Sequence, residues 1–243
     1  DAHRYVVVDA NGLPKISTTN KTLGKFTPDW TGGISNTFSY RSLSLSFLID
    51  ASVGGSIFSN TNKTGKYTGV LANTLSGRDA EHGGLWYYTD AMGNNVRLSE
   101  SPSYSVSSDG LYYAQVNGQS TRVYQDGIMV EGVTESGSKN EEVVSAEKYY
   151  HRIYSIAEAN VYDASYVKLR EVALSYRLPR LWTQKLHLQE ASVTLTGRNL
   201  WTIYKSVPNI DPESALTTGN AQGVEAYSLP TTRSFGVNLS VKF

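Results

Sequence analysis

The sequence contains no cysteine. That excludes disulfide scaffolds, thiolate metal sites and cysteine nucleophiles at once. Net charge is missing too, since 22 Lys and Arg balance 22 Asp and Glu. Without a basic field to draw in a polyanion, nucleic acid is not an expected partner. Nowhere do about 18 apolar residues run together, so no transmembrane helix is encoded. This leaves β-barrel spans open, because those are alternating segments of about 9–11 residues. The G-x-S-x-G, Walker A and H-E-x-x-H patterns are absent. Four histidines, His3, His82, His151 and His187, lie far apart. Only "RDAEHGG", with Asp79, Glu81 and His82, gathers acidic and imidazole groups, and a surface loop gives that by chance. The expectation is a non-enzyme with no metal site and no cofactor.

What the chain does have is 17 Tyr, 21 Gly, 4 Trp and abundant Ser and Thr over 243 residues. Aromatics with glycine suit β-structure and long loops. Five segments alternate with a period of two, the mark of a strand with one apolar and one polar face. In "DWTGGISNTFSY" (residues 29–40), Trp30, Ile34, Phe38 and Tyr40 oppose Thr31, Ser35, Thr37 and Ser39. After a tight turn, Leu43, Leu45, Phe47, Ile49, Ala51 and Val53 oppose Ser44, Ser46, Asp50 and Ser52, completing a hairpin. In "SYVKLREVALSYRLP", Val167 and Leu169 hold the apolar face, then the phase slips after Glu171 to Val172, Leu174 and Tyr176. A β-bulge absorbs such a slip. In "ASVTLTGRNLWTIY", Ala191, Val193, Leu195, Trp201 and Ile203 oppose Ser192, Thr194, Thr196, Arg198 and Thr202. The C-terminal "RSFGVNLSVKF" sets Phe235, Val237, Leu239, Val241 and Phe243 against Ser234, Gly236, Asn238, Ser240 and Lys242.

These segments place strands near residues 29–41, 42–58, 163–178, 191–204 and 232–243. Their connections are unequal. Residues 41–42 and 179–189 are short, whereas residues 59–162 and 205–230 are long, polar insertions. One helix is expected in the first insertion at "SAEKYYHRIY", with Ser145 as N-cap and Tyr149, Ile153 and Ile156 on one side. Alternating short and long connections fit an outer-membrane barrel with short periplasmic turns and long extracellular loops. A soluble β-sandwich also alternates, but its polar face would carry many Lys and Glu. Here that face is mostly Ser, Thr, Gly and Asn. Aromatics (Trp30, Tyr40, Phe58, Tyr166, Trp201, Tyr204, Phe243) gather near segment ends, as in a membrane-barrel girdle.

"FTPDWTGGISNTFSYRSLSLSFLIDASVGGSIFS" (residues 26–59), "DGIMVEG" (126–132), "NVYDASYVKLREVALSYRLP" (160–179), "VTLTGRNLWTIY" (193–204) and "NIDPES" (209–214) resemble, in order and spacing, the C-terminal portion of SusC/RagA-type TonB-dependent transporters. These are outer-membrane proteins of Bacteroidetes. The resemblance implies an all-β chain: the C-terminal strands of a large, 22-strand type barrel, localised as a multi-pass protein of the outer membrane. It implies TonB-driven uptake of an oligosaccharide or peptide, with a SusD-like surface lipoprotein as lid, and a dimer of transporter–lipoprotein pairs. It further implies that Phe243 is the signal read by the outer-membrane assembly machinery. Nothing in the sequence resembles the plug domain or TonB box, so TonB would act through a part absent here. The chain opens on Asp1 and reads as a piece of something longer. Two other classes stay open, a soluble or surface β-rich glycan-binding module and a passive porin.

Candidate residues follow. Trp86, Tyr87 and Tyr88 of "GGLWYYTD" are candidates for gripping substrate or lid, since flat aromatics with polar handles stack on sugars and peptides. They could equally pack the loop. Lys168, Arg170 and Arg198 fall on or near the expected lumen face, where they meet solute or form an internal charge network. Leu45, Phe47, Ile49, Val193, Leu195, Val237 and Leu239 are expected to face lipid.

Overall fold

The computed structural model describes residues 6–215, 219 and 221–243; His3 lies outside the described residues. In chain order come β1 (Val6–Val7), β2 (Trp30–Tyr40), β3 (Leu43–Val53), β4 (Ser56–Ser59) and helix α1 (Asn60–Thr68). Then follow β5 (Leu85–Thr89), β6 (Asn95–Arg97), β7 (Tyr104–Val106), β8 (Tyr112–Val116), β9 (Gln119–Ile128), β10 (Gly132–Val133), β11 (Val144–Ser145) and α2 (Ala146–Ser155). The last stretch holds β12 (Val161–Asp163), β13 (Tyr166–Arg177), α3 (Arg180–Lys185), β14 (Glu190–Lys205), β15 (Val224–Glu225) and β16 (Ser234–Lys242). The chain is thus mostly β. Its contacts divide it into two units, Asp1–Thr22 with Asn62–Asn160, and Leu23–Thr61 with Val161–Phe243.

The second unit is built on an antiparallel sheet of five strands in the order β16-β14-β13-β3-β2. Directly paired residues point to the same face of a sheet. Ile34 pairs with Ile49, Phe38 with Leu45, Leu174 with both Leu45 and Leu195, and Val193 with Leu239. These apolar side chains therefore share one face, and the seryl and threonyl partners share the other. Between β2 and β3, Arg41 and Ser42 make a two-residue turn, with Arg41 at φ 54° in the left-handed region. The phase slip after Glu171 is a bulge. Leu169 pairs with Ile49 but Glu171 pairs with Leu48, which leaves Arg170 as an extra residue on β13.

Two details depart from the sequence pattern. The second strand does not run from 42 to 58. Gly54 and Gly55, at φ 78° and 81°, break it after Val53. Left-handed backbone is cheap only for glycine, and a Cβ at Gly55 would meet the Phe26 carbonyl oxygen at 2.8 Å. The chain restarts as β4 in a separate sheet, β12-β4-β15, beside a small core of Ile57, Val207 and Ile210. In β14, Trp201 pairs with Leu169 and Thr202 with Lys168, but Tyr204 then pairs with Val167. Ile203 falls in that shift, and the apolar face passes from Trp201 to Tyr204.

The first unit contains most of the insertion at 59–162, which is far more ordered than a loop. Strands β6-β5-β9-β8-β7, with β11 paired to β9, form a six-stranded sheet. Its hairpins close on glycines. Asn117 and Gly118, at φ 51° and 77°, join β8 to β9, as expected where both turn residues take positive φ. Helix α2 starts at Ser145, whose hydroxyl accepts a hydrogen bond from the Lys148 amide. That satisfies one of the free N–H groups of the first turn.

Candidate functional site

Chemistry in the second unit gathers at the polar face of β13. Lys168 is only 3% exposed. Its ammonium donates to Asp211 Oδ1 at 2.6 Å and to Glu213 Oε2 at 2.5 Å. Two residues on, the bulge turns Arg170 toward Glu213 as well, and toward Asp50 of β3. Its Nε and one terminal nitrogen donate to Asp50 Oδ2 at 2.8 and 2.7 Å, and it also pairs with Glu213. Tyr166 donates its hydroxyl proton to Glu213 Oε1 at 2.8 Å. The segment "NIDPES" thus supplies two of the anions, β3 the third in Asp50, and β13 the cations. Asp211 is fixed further by Thr231, which donates from its hydroxyl at 2.5 Å and its amide at 3.2 Å. Burial pushes the Asp211 carboxyl up, but hydrogen bonds from Lys168 and Thr231 outweigh it and leave its pKa at about 2. Glu213 is likewise held below the usual carboxylate range: burial raises it, and Arg170, Lys168 and Tyr166 more than offset that. A closed network of this kind fastens a segment to a strand.

Arg198 does not join the network. It donates from Nε to Glu171 Oε2 at 2.9 Å on the neighbouring strand, and its side chain is 65% exposed. A second carboxylate, Glu225, was not singled out in the sequence. It is fully buried, taking hydrogen bonds from the hydroxyls of Ser59 at 2.7 Å and Thr61 at 2.6 Å and from the Ser228 amide at 3.1 Å. No local pattern marks it, because its two hydroxyl donors, Ser59 and Thr61, lie 166 and 164 residues away in the chain.

The aromatic stretch in the first unit is divided by its strand. Successive residues of β5 point to opposite faces. Trp86 is buried with Ala114 and Val123, its ring 5.1 Å from Tyr104 and 5.8 Å from Tyr112. Tyr87 is buried on the other face, stacked on Tyr124 at 5.0 Å, and its hydroxyl donates to Asp126 at 3.2 Å. Burial pushes both the Tyr87 phenol and the Asp126 carboxyl up. Tyr88 is half-buried against the Trp86 cluster. In this conformation Trp86 and Tyr87 therefore hold the sheet together, and only Tyr88 offers part of its ring to solvent.

Asp79 caps a single helical turn, its carboxylate accepting from the His82 amide and lying 2.8 Å from the His82 ring. His151 stacks on Tyr67 at 4.1 Å. Among the described residues, no three His, Asp or Glu side chains gather to hold a metal ion.

The apolar face of the five-stranded sheet is bare. Ile34 is 67% exposed, Phe38 59%, Val237 73% and Leu239 66%. Leu45, Phe47, Ile49, Val193 and Leu195 lie on the same face. Among the described residues, neither the outer edge of β2 nor that of β16 pairs with another strand. Phe243 sits one residue beyond β16 and is exposed.

No family model matches the chain. It is 25% identical over 242 residues to the TonB-dependent receptor P3 of Formosa agariphila, a match covering 97% of this chain and 18% of that protein. In solved structures, it resembles the RagAB peptide importer in the closed-closed state, with a TM-score of 0.50, 19% identity, and coverage of 98% of this chain and 21% of that one. The open-open state gives a TM-score of 0.48 at 16% identity. The chain therefore spans about a fifth of the length of the proteins it resembles. Its likeness to a TonB-dependent receptor runs along nearly all its residues.

Proposed function

We propose that this chain is the C-terminal part of the barrel of a TonB-dependent outer-membrane transporter of the SusC/RagA type. The whole protein takes up oligomeric nutrients, peptide or glycan, beneath a SusD-like lipoprotein lid. One observation carries the reading: an antiparallel sheet with a continuous bare apolar face and, among the described residues, two unpaired edges. Soluble proteins seldom expose apolar patches beyond a few hundred Å², and an open edge invites aggregation. A bilayer covers the face, and further strands of the same barrel cover the edges, since lipid tolerates no unpaired backbone.

Leu45, Phe47, Ile49, Val193, Leu195, Val237 and Leu239 then meet hydrocarbon, and the Ser and Thr face meets the lumen. Five strands cannot close a barrel, and the 22-strand type is the size proposed. The unit containing residues 62–160 is an extracellular insertion that contacts lid or solute. TonB pulls on a plug encoded elsewhere in the protein, and the assembly machinery reads Phe243. The transporter–lipoprotein pair is proposed to work as a dimer.

The test uses the full-length protein in its cell. It should need detergent for extraction, and uptake of a fluorescent oligopeptide or oligosaccharide should stop when TonB is deleted. Solubility without detergent would point to a glycan-binding module. Uptake that persists without TonB would point to a passive porin.

A further inference from the structure

We infer that the first unit carries a binding site for a peptide bearing a carboxylate beside an apolar side chain. The site is a cleft of about 660 Å³, within the roughly 300–1,000 Å³ range of small-ligand sites. Every residue lining it belongs to residues 66–159. The inference deepens the transport reading by naming a substrate class and a place for it.

Three features of the cleft select the ligand. The first is charge. Two cations line it, Lys66 and Arg97, and among the lining residues there is no Asp or Glu. Lys66 is already engaged, donating to the Ala159 carbonyl at 2.7 Å and to Asn160 Oδ1 at 3.2 Å. Arg97 is exposed at the end of β6 and forms no salt bridge among the described residues. A guanidinium with its donors unspent, in a cleft without acids, fits a carboxylate in a two-pronged pairing.

The second feature is an apolar part of the lining. Leu85, Ile128 and Ile153 give the cleft an apolar lining. A hydroxyl set against those three side chains goes unpaired at a cost, so a sugar could use only the part of the lining formed by Asn73, Ser76, Tyr149 and Tyr150. An aliphatic or aromatic side chain suits the apolar part.

The third feature is rigidity. Tyr150 donates its hydroxyl proton to the carbonyl oxygens of Asn73 and Ser76, at 3.1 and 2.9 Å. This pins α2 to the segment that forms the cleft's rim. The neighbouring Tyr149 packs edge-on to Tyr150 with ring centres 5.2 Å apart. Tyr149 lines the cleft as well, and its phenol, protonated at neutral pH like any tyrosine, brings a hydroxyl donor there. A site pre-formed by such contacts binds without first paying to order itself.

The experiment uses the purified full-length transporter in detergent. The probe is a pentapeptide ending in leucine, labelled with fluorescein at its N-terminus and read by polarisation. A matched probe carries a C-terminal amide in place of the carboxylate. Loss of a charged hydrogen-bonding partner predicts that the amide binds roughly ten- to a hundredfold more weakly. Arg97→Gln should weaken the acid to the level of the amide and leave the amide unchanged. Tyr149→Phe, which keeps the ring, should weaken the acid several-fold and serves if the Arg97 variant fails to assemble. Equal binding of acid and amide to the wild type, or an unaltered preference in both variants, would overturn the inference. An oligo-uronate that binds through Arg97 while the peptide does not would overturn the peptide assignment. Each of these results leaves a detergent-requiring, TonB-dependent transporter in place, whereas failure of the transport reading appears as extraction without detergent.

Discussion

Lys168 lies between two carboxylates with almost no access to water, so its worth is best seen by removing it. Breaking a buried ion pair from one side leaves an uncompensated charge and costs about 3–5 kcal/mol. Because Arg170 and Thr231 still hold Glu213 and Asp211, Lys168→Met should cost about 3 kcal/mol. The cost should appear locally, as faster hydrogen exchange and proteolysis at residues 209–215. Acid acts on the same contact. The Asp211 carboxyl titrates at about 2 in the folded chain against an ordinary 3.8. A depressed pKa gives stability that is present above about pH 4 and is lost as pH falls toward 2, here about 2 kcal/mol. Residues 209–215 should therefore stay protected at pH 5 and exchange faster at pH 2.5. In Lys168→Met the difference between the two should shrink. Phe243 is the opposite kind of residue, exposed and beyond the last strand. Deleting it should lower the amount of protein in the outer membrane while the assembled molecules keep their heat resistance on a gel. Normal abundance with reduced heat resistance would make packing, not signalling, its role.

At the level of elements, strict alternation made the five long strands legible. A period of two survives any context that buries one face. The bulge was legible as well, because an extra residue flips every side chain after it, as the change from Leu169 to Val172 displays. The break at Gly54 and Gly55 was hidden, since Ile57 continues the apparent alternation beyond it. The six-stranded sheet of the first unit was hidden for another reason. Most of its strands have three to five residues, too few for periodicity to rise above chance. Asn117-Gly118 was the signal available there, the strongest short hairpin cue. Lys168 and Arg170 were visible as charges on an otherwise hydroxyl-bearing face. Their partnership with Asp211 and Glu213 was not, because about forty residues separate them. The face assignment makes its own prediction. An Arg at a mid-membrane lipid position costs about 2–4 kcal/mol, more than at a lumen position. Phe47→Arg should thus reduce the assembled fraction much more than Ser46→Arg, scored by heat-modified mobility. Equal tolerance would reverse the faces.

For the whole molecule, the proposed barrel fixes sidedness. If the C-terminal strand ends in the periplasm, Arg41 and the segment with α3 lie there, and residues 62–160 lie outside. Met92, 87% exposed in the turn between β5 and β6, is a suitable reporter of the outer side. Met92→Cys should react with an impermeant maleimide on intact cells, and Gln184→Cys only after lysis. The reverse pattern would invert the topology.

The sheet itself is not uniform from end to end. Its register shifts fall at Val167/Lys168 and Leu169/Glu171, in the half that leads into the long connections. The half bounded by Arg41 and by α3 pairs without interruption, from Tyr40–Leu43 across to Glu190–Lys242. Neighbouring strands that spend unequal numbers of residues over the same span cannot lie as parallel rods. The half that holds the shifts is therefore obliged to bend and twist more sharply than the half that pairs strand to strand without a skipped residue.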